Sequence, residues 1–371
     1  MKLADYLHTL RYVPRLFRKS GTTPLYLIHF VTEQCNARCK HCFGRFYEEG
    51  NATKSSQLTL DEIEKMTRTM DPILFLLPTG GEPFLREDLS EIIQAYYRNC
   101  RVRNVGMPTN GSLTEVTEKQ VRSILASCPG LNLGIDISID AIGEAHDEIR
   151  GFPGLYERAI ATFHALSSLA KEYPHFDVCV EMTFQRDNQD QAIEIYRYLV
   201  KELKTYNVLV RVIRGSPRDP QAKEIDPGRF RQFCESIEKD LKHRRLQGHR
   251  LYPFSALITA RDLLGRKLQL KMLEGKKQYI SCEAGRLIGV LRSNGDVYPC
   301  ELRDVCIGNV RGHDYNFKTL WLNEKNLAFS REIQRSRCTC GHECFLSVNL
   351  LFHLRWYPSL IRELWGLYWK T

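Results

Sequence analysis

From residue 25 to about residue 215, short apolar runs alternate with amphipathic stretches. The runs fall at 25–31, 73–77, 102–107, 131–139, 177–184 and 207–214, and they predict six strands. Between them apolar side chains recur at helical spacing: Leu60, Ile63, Met66 and Met70, then Leu89, Ile92, Ile93 and Tyr96, then Tyr156, Ile160, Phe163 and Leu169. Thr59 followed by Glu62 has the spacing of a capping box, which sets the start of the first helix. Strand-then-helix units in this order predict an α/β fold with a parallel sheet and helices outside it. In such folds the ligand lies at the C-terminal ends of the strands.

The pattern changes towards both ends. Phe230, Phe233, Ile237 and Leu241 mark a further helix, and 257–273 reads as another. Apolar segments then flank Asn294-Gly295, predicting a β-hairpin with a type I′ turn. At the N-terminus Leu3, Leu7, Leu10, Val13 and Phe17 recur at helical spacing among Arg11, Arg15, Arg18 and Lys19, with Pro14 as a kink. This segment is either a helix packed on the domain or an interfacial membrane helix. The tail carries Trp356, Tyr357, Trp365, Tyr368 and Trp369 but is too short and too charged to span a bilayer. A helix closing the barrel is expected there, with a membrane-surface belt as the alternative.

At 371 residues and 43% hydrophobic, the chain can bury a large core in about two domains, and disorder is excluded. Its net charge of +9 suits a nucleic acid, an anionic substrate or a membrane surface. No arginine-rich stripe accompanies that charge, so no nucleic-acid partner is expected. Of 13 cysteines, three lie at 35–42 and six at 282–344, while Cys100, Cys128, Cys179 and Cys234 stand singly. Such clustering favours metal centres over a disulfide scaffold. The N-terminus lacks the apolar core of a signal peptide, so a cytoplasmic, reducing location is expected, with peripheral membrane contact as a further expectation.

Two motifs carry the chemistry. Cys35, Cys39 and Cys42 form C-x3-C-x2-C directly after the first predicted strand. A structural zinc site wants four ligands, whereas three thiolates on an iron–sulfur cube leave one iron open. Pro78-Thr79-Gly80-Gly81-Glu82-Pro83 follows the second strand, and its glycines let backbone approach a ligand closely. Read plainly, each motif is a turn, and the cysteines could be half of a zinc site.

Together, in this order and at these strand ends, the motifs resemble the radical SAM superfamily over roughly residues 22–215. The resemblance implies a partial (βα)6 TIM-like barrel. It also implies a [4Fe–4S] cluster on Cys35, Cys39 and Cys42, with S-adenosylmethionine on the open iron. Gly80, Gly81 and Glu82 would contact the amino group of the cofactor, and His41 would lie near the adenine. Thr109-Asn110-Gly111 resembles the family's third-strand motif. Ser138, in Ile137-Ser138-Ile139-Asp140, would reach the ribose. Arg150, in His146-Asp147-Glu148-Ile149-Arg150-Gly151, would pair with the methionine carboxylate, which its fork matches.

The C-terminal cysteines resemble the SPASM and twitch extensions of this superfamily. Cys282, Gly295 and Cys300 have the opening spacing, and Cys338, Cys340 and Cys344 form a closing group shorter than the full SPASM pattern. One auxiliary [4Fe–4S] cluster is therefore implied, held by Cys282, Cys300 and two of the closing three, with Cys340 and Cys344 favoured. Cys306 and His342 are spare or supporting candidates, and a four-thiolate zinc site would accept the same residues. The expected organisation is a basic amphipathic segment at 1–22, the barrel at 23–245 and a small auxiliary domain of β-hairpin and helix at 246–345. An aromatic-rich helix follows at 346–371.

The resemblance implies reductive cleavage of S-adenosylmethionine to a deoxyadenosyl radical, which takes hydrogen from a substrate. Peptide or protein maturation is the leading expectation, and a small-molecule or lipid-linked substrate the alternative. A low-potential donor such as flavodoxin or ferredoxin would supply the electron. A rival from another class is a non-catalytic iron–sulfur or zinc binding protein, against which the Gly80-Gly81-Glu82 and Arg150 elements argue.

Overall fold

The computed structural model describes residues 3–17, 21–44, 56–276, 280–336, 338 and 340–368. After a short helix α1 (Leu3–Leu10), the predicted strands form as β1 (Tyr26–Thr32), β2 (Phe75–Gly80), β3 (Asn104–Thr109), β4 (Asn132–Ser138), β5 (Phe176–Phe184) and β6 (Val208–Val212). The helices between them are α2 (Leu60–Thr67), α3 (Leu89–Asn99), α4 (Thr114–Ser127), α5 (Glu144–Arg150), α6 (Leu155–Leu169) and α7 (Ala192–Lys201). Alternate strand residues, among them Leu27, Leu76, Val105, Ile135 and Val180, pack against Ile63, Ile92, Tyr96, Val121 and Phe163 of the helices in one core. The alternation leaves the other strand face to line the barrel interior. The capping box at α2 forms in both directions, with the Thr59 amide donating to Glu62 at 2.8 Å and the Glu62 amide to Thr59 Oγ1 at 3.3 Å.

β1 to β6 run parallel in one open sheet, in the order β6-β5-β4-β3-β2-β1. The C-terminal part continues that sheet. β7 (Ile288–Leu291) pairs in parallel with β1, starting at Tyr26 opposite Ile288, and β8 (Asp296–Tyr298) and β9 (Gly308–Asn309) follow antiparallel. A second core under this extension gathers Ile28 and Phe30 with Val290, Phe329, Phe345 and Val348. The hairpin forms as expected, but its turn is not type I′, which needs φ > 0 at both central residues. Only Gly295 is in that region (φ +93°), and the Gly295 amide donates to Arg292 O at 3.0 Å. Asn294 instead accepts the Asp296 amide through its side chain at 3.0 Å, an Asx-type turn that gives a three-residue loop.

The remaining helices are α8 (Pro227–Lys242), α9 (Ser255–Leu273), α10 (Phe317–Trp321), α11 (Glu324–Arg335), α12 (Glu343–Leu351) and α13 (Tyr357–Tyr368). At the N-terminus Tyr12 and Arg15 fasten the segment to the barrel, through Tyr12 Oη to Ile73 O and Arg15 Nη1 to Pro72 O, both at 3.1 Å. The apolar stripe of this segment, read as packed on the domain or lying at a membrane surface, faces out: Leu7 is 58% and Phe17 68% exposed, with Leu10 and Val13 also exposed. Arg18, Lys19 and Trp369 lie outside the described residues, as does the side chain of Leu3. In the tail, Leu360 and Leu367 are buried while Ile361 and Trp365 are exposed. No helix among the described residues is long and apolar enough to cross a membrane.

Candidate active site

The loop leaving β1 carries Cys35, Cys39 and Cys42, and the three thiols border one cavity of about 180 Å³ at the C-terminal ends of the strands. Thr79 and Gly80 from β2, Gly81 just after it, Ser138 from β4, and Arg150 at the end of α5 share its wall. The sequence motifs from different strands thus come together, because parallel strands deliver their ends to one side of the sheet.

Gly80 and Gly81 act first on the cysteine loop. A Cβ on Gly80 would lie 2.0 Å from Thr32 O, and one on Gly81 would lie 2.0 Å from Gln34 O and 2.9 Å from Cys35 Cβ. The Gly81 amide donates to Thr32 O at 2.9 Å and the Glu82 amide to Gln34 O at 2.8 Å. The clasp takes up these two amides, while Gly80 and Gly81 still border the cavity. Glu82 is buried and braces β2 against β3. Its carboxylate accepts from Thr109 Oγ1 at 2.7 Å and from the Asn110 amide at 2.8 Å. Burial pushes its pKa up, partly offset by those donors.

Asn110 reaches the loop through Asn36, a residue the motif does not single out, donating to Asn36 Oδ1 at 2.8 Å. Asn36 in turn donates to Ser112 Oγ at 2.8 Å. On the other side α5 holds the loop by its backbone: the Arg38 amide donates to Arg150 O at 2.9 Å and the Lys40 amide to Ile149 O at 3.0 Å. Gly151 (φ +61°) makes this possible, since a Cβ there would sit 2.7 Å from Arg38 O.

The Arg150 side chain meets Asp140 at 2.7 Å and lies 3.9 Å from Cys39 Sγ. Burial lowers its pKa, but Asp140 and Cys39 outweigh that and raise it. His41 sits 3.8 Å from Asp140, with Gln185 Nε2 at 3.2 Å from its Nδ1. Burial depresses the His41 pKa to about 4, so the ring is neutral at neutral pH. Burial raises the thiols of Cys35, to about 12, and Cys39, to about 11. These residues fit the cofactor that the motifs imply. The three cysteines border one cavity, a guanidinium stands beside one of them, and Gly80 and Gly81 share its wall without side chains.

A second thiol group gathers in the C-terminal part. Cys282 feels Cys300 and Cys338, Cys300 feels Cys338, and Cys340 feels Cys300, Cys282 and Cys338. The His342 amide donates to Cys340 Sγ at 3.3 Å. Cys344, which spacing favoured, turns elsewhere. It lies in the first turn of α12 and borders a cavity inside the barrel. Burial works to raise its pKa, but His342, Arg211 and Arg214 outweigh it and lower the thiol. Spacing along the chain does not encode which way a helix turns a side chain, and Cys338 rather than Cys344 lies among the other three thiols. The Cys306 thiol points to Gly308 O at 3.5 Å. Among the described residues no three His, Cys, Asp or Glu side chains close on a single ion. A cube, by contrast, spreads its ligands over its corners.

A chain of charged groups joins the two thiol sites. Arg214 borders the cysteine-loop cavity and stacks on Phe43 at 5.0 Å. It pairs with Glu301 and with Glu343, both at 3.3 Å. Glu301 follows Cys300 and also pairs with His342. Glu343 accepts the Val212 amide at 2.7 Å and Gln269 at 2.8 Å. Of these only His342 was marked by a sequence motif, because the partners of Arg214, Glu301 and Glu343 come from segments far apart in the chain.

A partial TIM-like barrel with a cysteine loop, a glycine clasp and a buried arginine at its C-terminal ends defines a class of cofactor-dependent enzyme. Residues 30–199 match the radical SAM superfamily. The chain is 27% identical over 322 residues to the AdoMet-dependent heme synthase of Methanosarcina barkeri, which spans 84% of this chain and 86% of that protein. It is 26% identical over 344 residues to the mycofactocin maturase MftC of Mycolicibacterium smegmatis, across 89% of this chain and 79% of that one. Among solved structures, anSMEcpe with bound AdoMet superposes with a TM-score of 0.59 at 16% identity, covering 92% of this chain and 95% of that one. Streptococcus suis SuiB bound to the precursor peptide SuiA gives 0.58 at 17% identity, covering 86% and 68%. The chain is an enzyme that carries a radical SAM domain over residues 30–199, and its relatives and structural neighbours are radical SAM enzymes of the SPASM or twitch kind.

Proposed function

We propose that the chain uses Cys35, Cys39 and Cys42 to hold a [4Fe–4S] cluster and binds S-adenosylmethionine beside it. The observation that carries this is the single cavity bordered by the three thiols, Gly80, Gly81, Ser138 and Arg150. When bound, cluster and cofactor supply one-electron cleavage of a carbon–sulfur bond and the removal of hydrogen from a substrate. The chain's own residues position and shield that chemistry. Gly80 and Gly81 offer their carbonyls to the cofactor's amino group. Arg150, already balanced by Asp140, presents its remaining N–H groups to the carboxylate. Ser138 would face the ribose, and His41 would lie against the adenine, since both border the cavity.

Cys282, Cys300, Cys338 and Cys340 hold one auxiliary cluster in this reading, with Cys344 apart from it. A flavodoxin or ferredoxin delivers the electron. Peptide or protein maturation is the substrate class suggested by the mycofactocin maturase and by SuiB, whose structure holds a precursor peptide. An apolar or lipid-linked small molecule is a second reading, favoured by the apolar cavity inside the barrel. A cytoplasmic location with peripheral membrane contact is part of this reading, and the outward apolar stripe near α1 supports the membrane contact. The test is iron per chain and S-adenosylmethionine cleavage after anaerobic reconstitution. About eight irons and deoxyadenosine formation are expected from two cubes. Replacing Cys35, Cys39 and Cys42 together with alanine should leave about four irons and no cleavage. Zinc in place of iron, or no cleavage by reduced protein, would sink the reading.

A further inference from the structure

Below the cysteine-loop cavity the barrel holds a larger space of about 360 Å³, towards the N-terminal ends of the strands. That lies within the range of about 300–1,000 Å³ that ligand pockets occupy. Inward-facing Tyr26, Phe75, Leu77 and Leu209 form its wall with Leu251 and Leu257. Phe75 and Leu77 are only half-buried although they lie inside the barrel, because they border this space. Arg211 borders both cavities and pairs with Glu181 at 2.9 Å, so the two spaces meet at that ion pair. At the other end Leu10, Val13 and Phe254 line the chamber and are also exposed on the outer surface. The mouth therefore opens on the outward apolar stripe of the N-terminal segment.

Several polar groups bordering the chamber already have partners within the protein. Asn104 donates to Leu74 O and accepts from Asn132, both at 3.0 Å. Tyr252 donates to Val105 O at 3.0 Å, His249 meets Asp262 at 2.7 Å, and the Cys179 thiol donates to Asp136 at 3.1 Å. An extended peptide inserted there would leave buried amides without partners, at a cost that a hydrocarbon does not carry. We infer that the lower chamber binds the hydrocarbon chain of a substrate, which enters past Leu10, Val13 and Phe254 with its polar end directed to Arg211. The inference rests on the proposed function for the reaction at its upper end, and it names the substrate class of that site.

The test is titration of reconstituted holoenzyme with dansyl-labelled undecanoic acid, a fluorescent hydrocarbon chain with one carboxylate. Blue-shifted emission saturating at one probe per chain, displaced by palmitate, is expected. Leu77→Trp and, separately, Leu257→Trp fill the chamber and should each weaken the probe at least about ten-fold. Ile361→Asp, on the exposed face of α13, should leave it unchanged. Far-UV spectra and iron content show which variants are folded, and palmitate competition needs no variant. Binding that neither tryptophan weakens, or a leucine-rich hexapeptide that displaces the probe where palmitate does not, would overturn the hydrocarbon assignment. A parent that binds the probe yet cleaves no S-adenosylmethionine would remove the proposed function and leave the chamber standing. Cleavage without probe binding would do the reverse.

Discussion

Asp140 is wholly buried and accepts the Thr183 amide at 2.8 Å while facing Arg150 at 2.7 Å. Removing its charge leaves a buried guanidinium uncompensated, so Asp140→Asn should cost about 3–5 kcal/mol. A lower melting temperature, partly restored in an Asp140→Asn/Arg150→Gln double variant, would bear this out. Among the C-terminal thiols, single alanine variants of Cys282, Cys300, Cys338 and Cys340 should each reduce iron from about eight to about four per chain, while Cys344→Ala keeps about eight. Iron loss on Cys344→Ala but not on Cys338→Ala would reverse the ligand choice. Asp136 inside the barrel is raised by burial and by Glu181 from 3.8 to about 7. Folding thus favours its protonated form, and the stability this gives is complete below 3.8 and lost as pH rises through about 7. Asp136→Asn should therefore melt several degrees above the parent at about pH 8 and lose that advantage towards about pH 4. Equal differences at both pH values would refute the linkage.

The clasp of β2 against the cysteine loop depends on two positions without side chains. Gly81→Ala forces a Cβ to 2.0 Å from Gln34 O, and overpacking of this kind costs about 1–3 kcal/mol. The strain falls on the loop itself, so iron per chain and cofactor cleavage should drop more than the melting temperature does. Elements of this local kind were legible from sequence. The capping box at Thr59, the six strands and the C-x3-C-x2-C loop are written within a few residues of one another. The hairpin turn was legible only as a turn, because the Asn294 side chain chooses between two backbone forms that the dipeptide Asn-Gly equally allows. Asn36 went unseen because its importance lies in reaching Asn110 across to another strand. The exposure of Leu7 and Phe17 was hidden for a similar reason: periodicity shows that an apolar face exists, not what covers it.

At the scale of the whole molecule, β7 covers the edge of β1, and the second core closes over Ile28 and Phe30. A chain ending at residue 281 would leave that edge and those side chains bare, an invitation to pairing between chains. Such a truncation should be insoluble or lack a cooperative melt, as sedimentation and far-UV circular dichroism would show. A soluble, cooperatively melting truncation would mean that the barrel stands alone. The pairing of Tyr26 with Ile288 was beyond sequence reading, since no local pattern names a partner so distant. It also has a consequence for synthesis. At about 5–20 residues per second, the ribosome needs roughly 13–50 s after finishing β1 to deliver β7. For nearly all of that interval, once Cys42 has been added, the nascent chain carries all three cysteines of the first loop while the neighbouring sheet edge stays open. Cell factors that hold nascent chains, or that insert iron, would thus meet this protein in a half-roofed state.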